Sequence, residues 1–173
     1  YPFINCTQCG PRFTVIEALP YDRERTSMAA FPQCLECLRE YQDPSDRRYC
    51  SETNSCPECG PALWYEAGAE GCVAATDQGA LRDAAALLAA GGILALRGFG
   101  GYHLACDATS ESAVAELRRR KRREAKPFAV MVRDLEAARA LAWLDAAEEA
   151  LLASVERPIV LVRRRPTAGL APE

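Results

Sequence analysis

Two Cys-x-x-Cys pairs, Cys34 with Cys37 and Cys56 with Cys59, are the residues in this sequence best placed to do chemistry. A gap of two residues lets both sulfurs converge on one tetrahedral ion, as zinc thiolate sites require. The same gap would close a short, strained disulfide loop. Eighteen residues separate the pairs, within the spacing range of four-thiolate sites. Gly60 follows the last ligand, where a positive φ lets backbone N–H groups turn toward sulfur. A closed four-thiolate site has no open position for water or substrate, so its role is structural. Such a metal supplies about 10–16 kcal/mol of apparent binding energy to a segment that lacks a core. Thiolate ligation also implies a reducing compartment and hence a cytoplasmic location.

Half of a second site precedes the first. Asn5-Cys6-Thr7-Gln8-Cys9-Gly10-Pro11 recurs as Ser55-Cys56-Pro57-Glu58-Cys59-Gly60-Pro61. The repeat indicates tandem zinc modules, with the partners of Cys6 and Cys9 expected upstream of Tyr1. Cys50 is close enough to compete as a ligand but reads as a neutral thiol. Cys72 falls in a linker, and Cys106 is a small buried hydrophobe on a strand.

The run Leu117-Arg118-Arg119-Arg120-Lys121-Arg122-Arg123-Glu124-Ala125-Lys126-Pro127 is the second concentration of chemistry. Pro127 disfavours helix at Lys126, which places the last basic residues on a turn into a strand. Cations at a helix C-terminus are favoured by the dipole, so a solvated helix end is one reading. The other is a polyphosphate clamp, with Arg as a planar fork and Lys as a compact charge. Arg97-Gly98-Phe99-Gly100-Gly101-Tyr102-His103 forms a glycine-rich loop between two expected strands, and glycine there permits close backbone approach to a ligand. His103 is the only histidine. Arg163-Arg164-Arg165 reads as solvated charge.

The elements that must position these groups change character near residue 66. Residues 1–66 hold seven of the nine cysteines and show no long apolar period, so a finger region of 1–66 is expected. Residues 77–173 alternate helix and strand patterns, as in an α/β domain. A helix is expected over Gln78–Ala90, stopped by Gly91-Gly92. Strands follow at Ile93–Leu96 and Tyr102–Cys106, then a helix capped by Thr109 or Ser110 and running to about Arg120. Phe128–Val132 reads as a third strand, Leu135–Leu144 and Ala146–Val155 as helices, and Ile159–Val162 as a fourth strand. The formal charge of −3 argues against general nucleic-acid binding, and no apolar run is long enough to span a membrane. The opening at Tyr1-Pro2-Phe3 without Met, and the close at Ala171-Pro172-Glu173, read as a piece of a longer polypeptide.

These residues carry a resemblance to the HypF family, the carbamoyltransferases of [NiFe]-hydrogenase maturation. Tyr1 to Phe13 is similar to the end of that family's first finger. Pro20-Tyr21-Asp22-Arg23, Met28-Ala29-Ala30-Phe31-Pro32 and Asp43-Pro44-Ser45-Asp46-Arg47-Arg48 resemble its second finger and the approach to it. Gly100-Gly101-Tyr102-His103-Leu104-Ala105-Cys106-Asp107-Ala108 and Lys121-x-Arg123-x-x-Lys126-Pro127 resemble the opening of its YrdC-like domain. Two positions depart from the family: Glu124, where proline is frequent, and Cys50, where histidine is frequent. The family's later Ser-x-Asn-type nucleotide motif is not in this chain.

The resemblance implies a small tandem four-cysteine zinc-finger module followed by the N-terminal part of a YrdC-like α/β domain. It implies further domains of the same polypeptide on both sides. The activity it implies starts from carbamoyl phosphate and uses ATP, with Mg, to form carbamoyl-AMP. The carbamoyl group then passes to the C-terminal cysteine of the partner HypE, on the way to the cyanide ligand. Carried over by position, Lys121, Arg123 and Lys126 would contact phosphates or carbamate. Arg97, Gly100, Gly101 and His103 would line the same pocket. No catalytic residue is assigned. Two alternatives stand beside this reading: a YrdC-type threonylcarbamoyl-AMP synthase for tRNA modification, and a zinc-finger nucleic-acid-binding module.

Overall fold

The computed structural model describes residues 3, 12–68, 71–98, 101–123 and 125–172, apart from the side chains of residues 12 and 13. The chain divides into two compact units, Tyr1–Leu81 and Arg82–Glu173.

In the first unit a short helix α1 (Arg12–Val15) leads to an antiparallel bridge between Ile16 and Thr26. Two 3-10 turns, Arg23–Arg25 and Ser27–Ala30, follow. Thr26 lies between them, 0% exposed, with its hydroxyl donating to the Arg23 carbonyl at 2.8 Å. Helix α2 (Leu35–Gln42) starts at Cys34 and stops at Asp43, because Pro44 bars the residue before it from helix. The Asp43 carboxylate accepts from the Ser45 amide and hydroxyl, at 2.8 and 2.7 Å, and turns the chain back. A hairpin of β1 (Trp64–Ala67) and β2 (Cys72–Thr76) follows, so Cys72 sits on a strand rather than in a linker.

Among the described residues of this unit few apolar side chains are buried: Val15, Met28, Cys37 and Ala80. Its interior is instead polar, made by Thr26 and the run Glu52-Thr53-Asn54-Ser55. Buried polar groups are costly unless hydrogen-bonded, so this interior must be closely specified.

In the second unit helix α3 (Asp77–Ala89), which begins in the first, ends in a Schellman motif. Gly92 N–H donates to the Leu87 carbonyl and Gly91 N–H to that of Leu88, both at 2.9 Å. Gly91 has φ +78, and a Cβ on Gly92 would lie 2.9 Å from the Leu87 carbonyl oxygen. Strands β3 (Leu94–Gly98) and β4 (Gly101–Ala105) pair antiparallel, so much of the expected glycine loop is strand. Helix α4 (Glu111–Lys121) is capped by Ser110, whose hydroxyl accepts from the Ala113 amide. Its buried face is Ala113, Val114 and Leu117. Asp134 caps α5 (Leu135–Leu141), and Asp145 with Glu148 forms a capping box on α6 (Ala146–Ala153).

Three expected elements are corrected. The helix expected to Leu144 ends at Leu141, because β5 (Ala142–Trp143) turns out to pair with β6 (Arg163–Arg164). Arg165 then stacks over the Trp143 ring at 3.7 Å and donates to the Ala142 carbonyl, and Arg164 donates to the carbonyls of Leu170 and Ala171. Two of the three arginines read as solvated charge therefore fasten the end of the chain. Phe128–Val132 and Ile159–Val162 form no strand among the described residues; a strand needs a ladder partner, and Met131 and Leu161 are 97% and 86% exposed. Cys106 follows β4 rather than lying on it. No helix of the described residues is long and apolar enough to cross a membrane.

The α3 terminus gives a direct test. Gly91→Ala should destabilise by about 1–2 kcal/mol, the cost of a side chain in the left-handed region. Gly92→Ala, which collides with Leu87, should cost at least as much. Urea unfolding measures both; a raised midpoint for either would contradict the assignment.

Candidate functional sites: a four-cysteine centre and a basic loop

The sulfurs of Cys34, Cys37, Cys56 and Cys59 all lie within 4.8 Å of one another. Cys34 to Cys56 and Cys56 to Cys59 are both 3.7 Å. A tetrahedral ion with metal–sulfur bonds of about 2.3 Å would space its sulfurs about 3.8 Å apart, so the donor set fits zinc. Cys34 stands at the start of α2 and Cys37 in its first turn, which brings their sulfurs to one side. In the second pair the Cys56 carbonyl accepts from the Gly60 amide at 2.8 Å, folding the chain back at the glycine.

The thiols are unlike one another. Burial and the neighbouring thiols push Cys37 well above the ordinary range. Burial also opposes ionisation of Cys59, but backbone N–H groups at Cys34 and Cys56 outweigh it and bring Cys59 to about 7. Two buried polar atoms have no hydrogen-bond partner among the described residues, the Gln33 amide nitrogen and the Ser55 hydroxyl. Each belongs to the residue just before a ligand, Cys34 or Cys56. Among the described residues Cys50, Cys72 and Cys106 stand outside the cluster. Cys6 and Cys9 lie outside the described residues.

Behind the sulfurs is a network that the spacing of the cysteines does not announce. Arg23 donates through Nη1 to the carbonyls of Glu52 and Asn54, both at 2.8 Å, and through Nη2 to that of Phe31 at 2.6 Å. The Glu52 carboxylate accepts from the Arg23 amide at 2.7 Å and from the Tyr41 hydroxyl at 3.0 Å. Burial beside this carboxylate pushes Tyr41 up to about 12. Asn54 Nδ2 donates to the Cys37 carbonyl at 3.0 Å. Arg23 and Glu52 are 29 residues apart, and neither belongs to a spacing motif, so sequence reading had no signal for the pair.

In the second unit the basic run is divided by its contacts. Glu116 takes both Arg119 and Arg120, whose hydrogen bonds bring its carboxyl down to about 2. Arg118 Nη1 donates to the Arg123 carbonyl at 2.6 Å. Arg123 donates through Nε to the Lys126 carbonyl at 3.0 Å and through Nη2 to that of Pro127 at 2.9 Å. Both guanidinium groups lie over the Phe128 ring, at 4.8 and 5.3 Å. Arg122 caps α4 in the left-handed conformation, φ 48. The side chains of Lys121, Arg122 and Lys126 are exposed and have no hydrogen bond or ion pair among the described residues. Glu124 lies outside the described residues.

On the hairpin, Arg97 pairs across to Tyr102 and Leu96 to His103. Alternation therefore puts Arg97 and His103 on opposite faces of the ribbon. The Arg97 guanidinium is 5.8 Å from the Tyr102 ring centre. The His103 ring lies 3.1 Å from where a Gly98 Cβ would be, so glycine makes room for it. Gly101, with φ +129, opens β4, and Gly100 lies outside the described residues. No side-chain hydrogen bond or ion pair among the described residues joins this hairpin to the basic loop.

Because the first unit buries so little apolar surface, metal removal should unfold its finger while leaving the second unit folded. Elemental analysis should show Cys56→Ser losing about one zinc relative to the unsubstituted protein. Unchanged zinc content, or an unchanged circular dichroism spectrum after chelation, would refute the site.

Residues 86–173 match the family described as telomere recombination, that of Sua5, YciO and YrdC. Residues 1–16 and 34–66 match the HypF finger. A carbamoyltransferase HypF from Rhodobacter capsulatus is 51% identical over the whole of this chain. The crystal structure of T. kodakarensis HypF superposes with a TM-score of 0.90 at 48% identity, covering 99% of the chain. That of full-length HypF in the phosphate- and nucleotide-bound form gives 0.86 at 45%, also over 99%. The chain spans 22% of the length of each of these three proteins. With its match over residues 86–173 the chain belongs to the Sua5/YciO/YrdC family, and it also carries a HypF finger and is similar along its length to carbamoyltransferases named HypF.

Proposed function

We propose that this chain is the finger region, 1–66, and the N-terminal part of the nucleotide-binding domain, 77–173, of an enzyme that makes carbamoyl-AMP. Carbamate released from carbamoyl phosphate attacks the α-phosphorus of ATP, and the bond to pyrophosphate breaks. The carbamoyl group passes to the C-terminal cysteine of a HypE partner, for the cyanide ligand of [NiFe]-hydrogenase. Domains elsewhere in the same polypeptide supply the carbamate and complete the transfer. Cysteines kept as zinc-binding thiolates suit the cytoplasm.

The observation that carries this reading is the basic loop. Charge accumulates on the departing pyrophosphate, and fixed cations stabilise it. Lys121, at the end of α4, and Lys126, on the turn that Arg118 and Arg123 brace, are exposed and unengaged among the described residues. Mg, bridging phosphate oxygens, would neutralise further charge there. A relative of this chain at 45% identity has been solved with phosphate and nucleotide bound. Arg97, Gly100, Gly101 and His103 stay as the hairpin's proposed contribution to the pocket, but Arg97 and His103 occupy opposite faces, so only one of the two lines a given wall.

In the full-length protein, Lys121→Ala and Lys126→Ala should each lose about 1.5–3 kcal/mol of ATP binding or turnover, roughly ten- to a hundred-fold. Arg123→Ala should lose a comparable amount, because the loop that holds the lysines loses its brace. Arg119→Ala, already paired with Glu116, should stay near wild type. Carbamoyl-dependent exchange of pyrophosphate into ATP measures all four. Equal damage from Arg119→Ala would reduce the loop to a diffuse basic patch. Exchange dependent on threonine and bicarbonate instead would favour a threonylcarbamoyl-AMP synthase.

A further inference from the structure

We propose that Arg23 is the brace of the four-cysteine centre, a positioning residue whose guanidinium holds the two Cys-x-x-Cys arms together from behind the sulfurs. It comes from the stretch between the two segments that match the HypF finger, 1–16 and 34–66.

The geometry is specific. Phe31 lies three residues before Cys34, and Asn54 two residues before Cys56. One planar group donates to the carbonyl of Phe31 on the first arm and to those of Glu52 and Asn54 on the second. It therefore fixes the separation of the two backbones just before each enters its ligand pair. The second arm fixes Arg23 in return, because Glu52 Oε2 accepts from its backbone amide. Asn54 closes the circuit by donating to the carbonyl of Cys37, itself a ligand. Glu52 and Asn54 are 8% and 6% exposed, so these bonds face little competition from water.

Charge points the same way. Four thiolates around a divalent ion leave a net charge of about −2, and a half-buried cation nearby offsets it. Burial lowers the affinity of Arg23 for its proton, while the sulfur of Cys59, the Glu52 carboxylate and the sulfur of Cys37 raise it again. The guanidinium thus lies within electrostatic reach of two of the four ligands. Lysine could supply the charge but not a planar fork to three carbonyls.

The test is cobalt(II) titration of the full chain, read from the thiolate-to-cobalt and d–d absorption bands, together with the rate of zinc release to EDTA. Arg23→Met and Arg23→Lys should each bind cobalt roughly ten-fold or more weakly and release zinc correspondingly faster. Val15→Ala, which loosens apolar packing at a buried residue of α1, outside both ligand arms in sequence, should keep wild-type affinity and release even with a lowered melting temperature. If Arg23→Met cannot be obtained folded, Arg23→Lys decides on the same readouts. Loss of the metal-bound fold in both, with Val15→Ala intact, also supports the brace. Wild-type cobalt affinity and zinc release in folded Arg23→Lys or Arg23→Met would overturn it. The inference rests on the four cysteines binding metal, and failure of that premise is separately visible: the unsubstituted protein and Cys56→Ser would then give the same cobalt spectrum.

Discussion

Four sulfurs from two separate stretches of chain must meet within a few ångströms, and the first unit is built around that convergence. Thiolates repel one another and the surrounding chain has little apolar surface to draw it together. The structure answers with directional bonds. Carbonyls before each ligand pair receive guanidinium donors, a buried carboxylate receives an amide and a phenol, and a buried amide reaches the backbone of a ligand. Such an interior is stable only when nearly every polar group is satisfied. The two buried polar atoms without a partner among the described residues, on Gln33 and Ser55, belong to the residues that precede Cys34 and Cys56.

The two units differ in how much of their order is local. In the second, the starts of α4, α5 and α6 and the end of α3 are set by residues within a few positions: Ser110, Asp134 and Asp145 at N-termini, Gly91-Gly92 at a C-terminus. Those boundaries were legible in the sequence because capping uses short-range side-chain and backbone geometry. The pairing of Ala142–Trp143 with Arg163–Arg164 was not, because two arginines carry no strand signature and the pair is held by a stacked Arg165. The apolar runs at 128–132 and 159–162 misled for a related reason. Alternation and β-branching describe a surface that could be buried, and a strand forms only where a second backbone offers its ladder.

The same contrast governs the sites. The cysteine cluster was legible because metal ligation writes itself into sequence as a two-residue gap, independent of the rest of the fold. The role of Arg23 was not, since Pro20-Tyr21-Asp22-Arg23 marks a resemblance but nothing in its spacing points to partners 29 and 31 residues away. The glycine-rich stretch was legible as a close approach, but its hairpin register and the opposite facing of Arg97 and His103 depend on cross-strand pairing that composition does not encode.

Charge counting overstates the basic run, and the way it does so has a consequence. Of the cations between Arg118 and Lys126, two neutralise Glu116 and two are spent on loop carbonyls and the Phe128 ring. Arg118 and Arg123 shape the loop, and Lys121, Arg122 and Lys126 remain available. That division follows from their chemistry: a rigid fork suits several fixed acceptors at once, whereas a compact ammonium on a flexible stem suits a ligand that arrives and leaves. A turn already held by its arginines loses less freedom when phosphate binds, so more of each lysine's attraction is retained as affinity. Arg23 in the finger obeys the same rule, gripping three carbonyls so that the groups beside it can hold an ion.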